Sequence, residues 1–111
     1  MTAGTTHHAG VASRWAGLTV AEQLAHVGSE VERALRAHEA HHDTRRDFAM
    51  ARALELFDLT AGDPRWRGPR RREILRAREE FCAELFAGRP TAGSTAGLRK
   101  YFLAFAVLAR R

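Results

Sequence analysis

Residues 38–42 read His38-Glu39-Ala40-His41-His42, a literal H-E-x-x-H string. On a continuous helix this spacing sets two histidines one turn apart on one face, with a glutamate beside them as general base. Such a set holds a zinc ion. His38 and His42 would be the ligands and Glu39 the base of a zinc-dependent hydrolase. Catalysis of this kind also needs a third protein ligand and a cleft. The string falls in a histidine-rich junction where a first helix frays, so a solvated helix end accounts for it better. This reading assigns the chain no metal, no catalytic residue and no cofactor.

A second set is electrostatic. Between Asp63 and Arg78 lie seven arginines, at positions 65, 67, 70, 71, 72, 76 and 78, against Asp63 and Glu73. The segment thus carries as much net charge as the whole chain, +5. Arg70, Arg71 and Arg72 fall in the first turn of a helix beginning at Pro69, where cations oppose the macrodipole. One explanation is an anion site, in which guanidinium groups and helix amides converge on a phosphate; Arg65, Arg67, Arg70, Arg71 and Arg72 are its candidate residues. The other is internal pairing with Glu55, Asp58, Glu73 or Glu79. Trp66 is the one ring in the patch, thin support for a base-stacking platform. Arginine outnumbers lysine throughout, Lys100 standing alone, so the choice of arginine says little by itself.

These residues need elements to hold them. Thr19 and Glu22 fit a capping box, and Val20, Leu24, Val27, Val31, Ala34 and Leu35 then recur every three or four residues. A helix over 19–40 follows, with Gln23, Glu30, Glu32, Arg33 and Arg36 largely off its apolar stripe. Thr44 and Asp47 offer a second capping box before a helix over 45–61, whose apolar face (Phe48, Met50, Ala53, Leu54, Leu56, Phe57, Leu59) is wide enough for two neighbours. Gly62 reads as its C′ residue, and Asp63-Pro64 prevents continuation. A third helix over 69–87 carries Ile74, Ala77, Phe81 and Leu85, and Gly88 with Pro90 ends it. Residues 88–97 read as a flexible loop. Ser94 or Thr95 caps a fourth helix over 95–110 with the stripe Leu98, Tyr101, Phe102, Phe105 and Leu108. No segment alternates as a strand does. Trp15 and Trp66 each stand just outside a helix end and read as lids on the core. The expected fold is all-α: an antiparallel four-helix bundle over 13–111 behind a mobile tail of residues 1–12.

Length and composition narrow the function. A chain of 111 residues makes one domain, and 45% apolar with 28% charged residues is a globular balance. Cys82 is alone and pairs with nothing internally, which suits a reducing compartment. No apolar run reaches the ~20 residues of a membrane span, and the first ten residues lack the pattern of a secretory signal. The expectation is a cytoplasmic protein without a membrane partner.

Arg33-Ala34-Leu35-Arg36-Ala37-His38 matches R-x4-H, and Arg36 to His41 matches it again. This pattern, the size and the basic patch resemble the HEPN domains, all-α bundles in which a dimer brings Arg and His pairs together to cleave RNA. The resemblance implies Arg33 and His38 as catalytic candidates and RNA as partner. HEPN domains carry the motif late in the bundle, whereas here it lies on the first helix. A broader resemblance rests on Trp15–Thr19, Ala21–Ala25, Gly28–Val31, RALELFDLT (52–60), DPRW (63–66), EILRARE (73–79) and LRKYFLAFAVLAR (98–110). It covers nearly the whole chain and is to a family of small uncharacterised prokaryotic helical proteins; it implies a fold and no activity. Shared polar positions (Glu22, Gln23, Ser29 and Glu30 with Arg52, Glu55 and Asp58) suggest a paired network between the first two helices. The function these observations favour is a non-enzymatic interaction module, homodimeric through the wide face of helix two and the aromatic run of helix four, or bound to a protein partner. The alternative is a HEPN-like domain using the basic patch on nucleic acid.

Overall fold

The computed structural model describes residues 13–86 and 92–111, with side chains from 95 onward in the second stretch. The tail expected over 1–12 and the helix-ending Gly88 and Pro90 lie outside the described residues. Every regular element among the described residues is helical. After a helical turn at residues 13–16 come α1 (Val20–Glu39), α2 (Asp43–Ala61), a 3-10 turn (Pro64–Trp66), α3 (Pro69–Phe86) and α4 (Ala92–Ala109). The radius of gyration is 14.2 Å, near the ~13 Å expected for a packed domain of this length.

Helix α1 is the element the others share, with α2 along one side and α4 along the other. Its start is the capping box: the Glu22 amide donates to Thr19 Oγ1 at 3.1 Å and the Thr19 amide to Glu22 Oε1 at 2.9 Å. Those two bonds hold the Glu22 carboxyl below its ordinary pKa. Its end is a left-handed reversal. His41 has φ 60°, its amide donates to the His38 carbonyl at 3.1 Å, and the His42 amide reaches back to Ala37 at 2.8 Å. This is the paired closure of a Schellman motif, with histidine in glycine's usual place.

Three boundaries differ from expectation. Helix α2 begins at Asp43, so Thr44 and Asp47 lie within its first turns and form no capping box; its N-cap, His42, makes no side-chain bond. Asp43 sits instead where the helix dipole favours an acid. Gly62 is right-handed at φ −79° and forms the C-cap, not a left-handed C′ residue. Helix α4 begins at Ala92, so Ser94 and Thr95 are helical rather than capping, and much of the expected loop is helix. Thr95 spends its hydroxyl on the buried Glu84, at 3.1 Å from Oε2.

The core runs through Leu24, Val27, Val31 and Ala34 of α1, Ala53 and Phe57 of α2, Ile74 and Phe81 of α3, and Leu98 and Phe102 of α4. The aromatic centre is Phe57, whose ring lies 5.9 Å from that of Phe81 and 5.8 Å from that of Phe102. Helices α1 and α4 approach closely at Gly28, where a Cβ would come within 2.7 Å of Phe102 Cβ. The buried contribution of α2 is narrower than its run of large residues suggests. Ala49 and Ala53 touch the core, while Phe48 is 72% exposed.

Candidate functional site

The most constrained polar residues gather where the helical turn, α1, the end of α2 and the 3-10 turn converge. Gln23 is fully buried, contrary to its expected place off the stripe. Its Nε2 donates to the Trp15 carbonyl at 2.8 Å and to Asp63 Oδ2 at 3.0 Å, and its Oε1 accepts from Trp66 Nε1 at 2.8 Å. Trp15 Nε1 donates to Thr60 Oγ1 at 3.0 Å, and that hydroxyl donates to the Leu56 carbonyl at 2.9 Å. Burying an amide costs free energy unless its bonds are made; here the three polar arms of Gln23 and both indole N–H groups are satisfied. Both tryptophans thus close the core and also anchor a polar knot.

The knot absorbs the first arginine of the basic segment. Asp63 receives the Arg65 guanidinium at 2.8 Å and the Arg65 amide at 3.0 Å, and is itself buried. The paired guanidinium holds the Asp63 carboxyl well below the usual carboxylate range. Arg65 also donates to the Leu18 carbonyl at 2.8 Å and lies 4.5 Å over the Trp66 ring. Arg70 pairs with Glu73 at 2.9 Å and stands 5.4 Å over Phe105. Glu73 also accepts the Tyr101 hydroxyl at 2.7 Å, and burial pushes the Tyr101 pKa up. Arg78 reaches Asp58 at 3.0 Å. Arg71 is half-buried, its Nε without a partner among the described residues. Arg67 and Arg72, with Arg76, are exposed and form no ion pair among the described residues. Of the five candidate anion ligands, Arg65 and Arg70 thus have internal ion-pair partners, Arg71 is half-buried, and Arg67 and Arg72 face solvent.

The H-E-x-x-H string does not lie on one helical face. Helix α1 ends at Glu39, His41 reverses the chain, and His42 stands at the start of α2. Glu39 is clamped by Arg99 from α4, with Nη2 to Oε1 at 2.8 Å and Nη1 to Oε2 at 3.2 Å. Those bonds hold its pKa down, which makes it a weak base. No group of three or more His, Cys, Asp or Glu among the described residues is placed to hold a metal ion. Arg33 and His38, five residues apart, point about 140° apart around α1. Arg33 is bonded to Glu30 at 3.1 Å, and His38 is half-buried.

Two surface features were not singled out in the sequence. One is the apolar outer face of α4, where Leu103, Val107 and Leu108 are 59%, 42% and 49% exposed; Leu108 was expected inside. No charged residue interrupts this helix between Tyr101 and Ala109. The other is a groove of about 530 Å³ between the C-terminal half of α1 and the N-terminal half of α2, walled by arginines and Phe48. The i, i+3, i+4, i+7 spacing of Arg33, Arg36, Ala37 and Ala40, and again of Arg45, Phe48, Ala49 and Arg52, was the available signal. It escapes notice because it marks two halves of a seam that only folding joins.

No protein-family model, curated protein or solved structure matches this chain. Among the described residues no helix is long and apolar enough to cross a membrane.

Proposed function

We propose that this chain is a non-enzymatic helical interaction module, an up-down-up-down antiparallel four-helix bundle that works as a cytoplasmic homodimer. It belongs, on this reading, with the small prokaryotic helical proteins it resembles. The observation that carries it is the exposed face of α4. Leu103, Val107 and Leu108, with Ala104, occupy one arc of a helix that has no charge from Tyr101 to Ala109. Contiguous apolar surface of this kind favours association, and a two-fold axis along α4 would cover the same patch on both copies. Light scattering of the wild type at micromolar concentration tests it. The expected mass is that of a dimer, falling to a monomer in Leu103→Lys/Val107→Lys with helicity retained. A monomeric wild type overturns the reading.

A second reading is a HEPN-like module that binds nucleic acid through the basic segment. It is favoured by Arg67, Arg72 and Arg76, exposed and unpaired among the described residues. Released counterions would make such binding fall steeply with salt. Titration of RNA and duplex DNA at two salt concentrations, with the triple alanine variant of these arginines as control, decides it. Salt-sensitive binding lost in the variant is expected on this reading, and no binding at low salt removes it.

A further inference from the structure

The groove between α1 and α2 has the composition of a ligand site. Its α1 wall is Arg33, Arg36, Ala37 and Ala40, and its α2 wall is Arg45, Phe48, Ala49 and Arg52. Ala37 and Ala49 are each only 8% exposed and form an apolar floor, while Phe48 stands 72% exposed beside it. The small side chains on the floor leave the space open. Its volume of about 530 Å³ lies within the ~300–1,000 Å³ of small-molecule sites.

The surrounding charges are partitioned in a way that leaves this groove positive. Four of the nearby acids have arginine partners that do not line it. Asp43 and Asp47 are both held by Arg46, at 3.3 Å and 3.1 Å. Glu32 and Glu39 are both held by Arg99, at 2.9 Å and 2.8 Å. The one acid in the lining is Glu30, buried at one end and shared between Arg33 at 3.1 Å and Arg52 at 3.6 Å. Arg36 has only a 3.5 Å contact with the already engaged Glu32, and Arg45 forms no ion pair among the described residues. Four guanidinium groups thus surround an apolar floor with one carboxylate among them. A guanidinium offers a planar fork that matches carboxylate, sulfonate or phosphate oxygens.

We propose that the α1/α2 groove binds a small amphiphilic organic anion, its apolar or aromatic body on Ala37, Ala40, Ala49 and Phe48 and its anionic head between Arg36 and Arg45. This site is independent of the α4 face and of the exposed arginines of α3.

The probe is 1-anilinonaphthalene-8-sulfonate, read by fluorescence, beside its uncharged analogue N-phenyl-1-naphthylamine. The wild type is compared with Arg36→Gln/Arg45→Gln, with Phe48→Ala and with Leu103→Lys. All four substituted side chains are exposed, and far-UV circular dichroism checks the fold of each variant. The expected result is one site per chain, at least tenfold weaker sulfonate binding in the arginine variant, and less than twofold change for the uncharged analogue. Phe48→Ala weakens both probes, and Leu103→Lys neither. Displacement by 2-naphthoate or by 2-naphthyl phosphate then separates a carboxylate from a phosphate head. Displacement by neither overturns the proposal. So does sulfonate binding indifferent to the arginine substitutions, or binding lost in Leu103→Lys, which would mean adsorption on the α4 face.

Discussion

The Gln23 amide and the Asp63 carboxylate meet at 3.0 Å across 40 residues of chain, both buried. This bond joins the first turn of α1 to the segment that leads into the 3-10 turn. Asp63 in turn holds Arg65, and Gln23 holds Trp66. The pair is the hinge on which the basic segment is set relative to α1.

Gln23→Leu replaces a satisfied amide by an apolar group and strands its partners. Trp66 Nε1 loses its bond, the Trp15 carbonyl keeps only the Leu18 amide at 3.0 Å, and Asp63 loses one of its donors. Each buried group left unpaired costs about 1–3 kcal/mol. The expected loss is at least ~2 kcal/mol in chemical denaturation, with a lower midpoint and an unchanged slope. A loss below ~0.5 kcal/mol would show that the knot is dispensable.

Asp63 should shape the acid limb of stability. Its folded pKa lies below its unfolded value, so the unfolded chain takes up a proton first as pH falls. Its contribution is then complete above about pH 5 and is lost progressively as pH drops through the unfolded carboxylate pKa of ~4 toward the folded value. The stability gap between wild type and Asp63→Asn, followed by denaturant melts between pH 7 and pH 2.5, should be constant at first and narrow below about pH 5. A gap that stays constant to pH 2.5 would remove Asp63 from the acid response.

Gly28 sets the distance between α1 and α4. Gly28→Ala places a Cβ 2.7 Å from Phe102 Cβ and 3.0 Å from Phe102 Cγ, so a helix must shift. Overpacking of this kind costs about 1–3 kcal/mol. Gly97→Ala is the control, since nothing lies within 4 Å of the added methyl, and in a helix it should be neutral or stabilising. Thermal melts of the two variants should move apart, Gly28→Ala downward.

Arg99 binds Glu32 and Glu39 of α1 from α4, with its side chain about one-third exposed. Partly exposed pairs are screened, so Arg99→Ala should cost on the order of 1 kcal/mol, and less at 1 M salt than at 0.05 M. Arg99→Lys should recover little, because an ammonium group cannot reproduce the forked contact with Glu39. A salt-independent cost would indicate that the side-chain stem, not its charge, is what α1 uses.

Much of the secondary structure was legible. The Thr19–Glu22 box, the 3.6-residue stripe of α1, the Ile74–Leu85 stripe of α3 and the stop at Asp63-Pro64 are local signals, written by residues within a few positions of one another. Where local signals competed, the reading slipped. Thr44 and Asp47 spell a capping box, yet α2 starts at Asp43, because the left-handed turn at His41 sets the chain's direction two residues earlier. The aliphatic width of α2 implied a large buried face, but small residues let α1 approach and left Phe48 outside.

What the sequence alone determined is helix, its approximate limits, and the identity of most core residues, because periodicity is a property of one segment. Tertiary structure decided which polar residues were buried, which arginines were spent, and which apolar residues stayed outside. Gln23 read as surface because its partners lie 8, 40 and 43 residues away in the chain. Arg65 and Arg72 are the same residue type in one charge run, but only Arg65 lies beside an aspartate and the Leu18 carbonyl. The groove of Arg36, Arg45 and Phe48 exists only where two helices lie side by side. Charge and polarity are partnered across space, so their roles are set by packing and not by order along the chain.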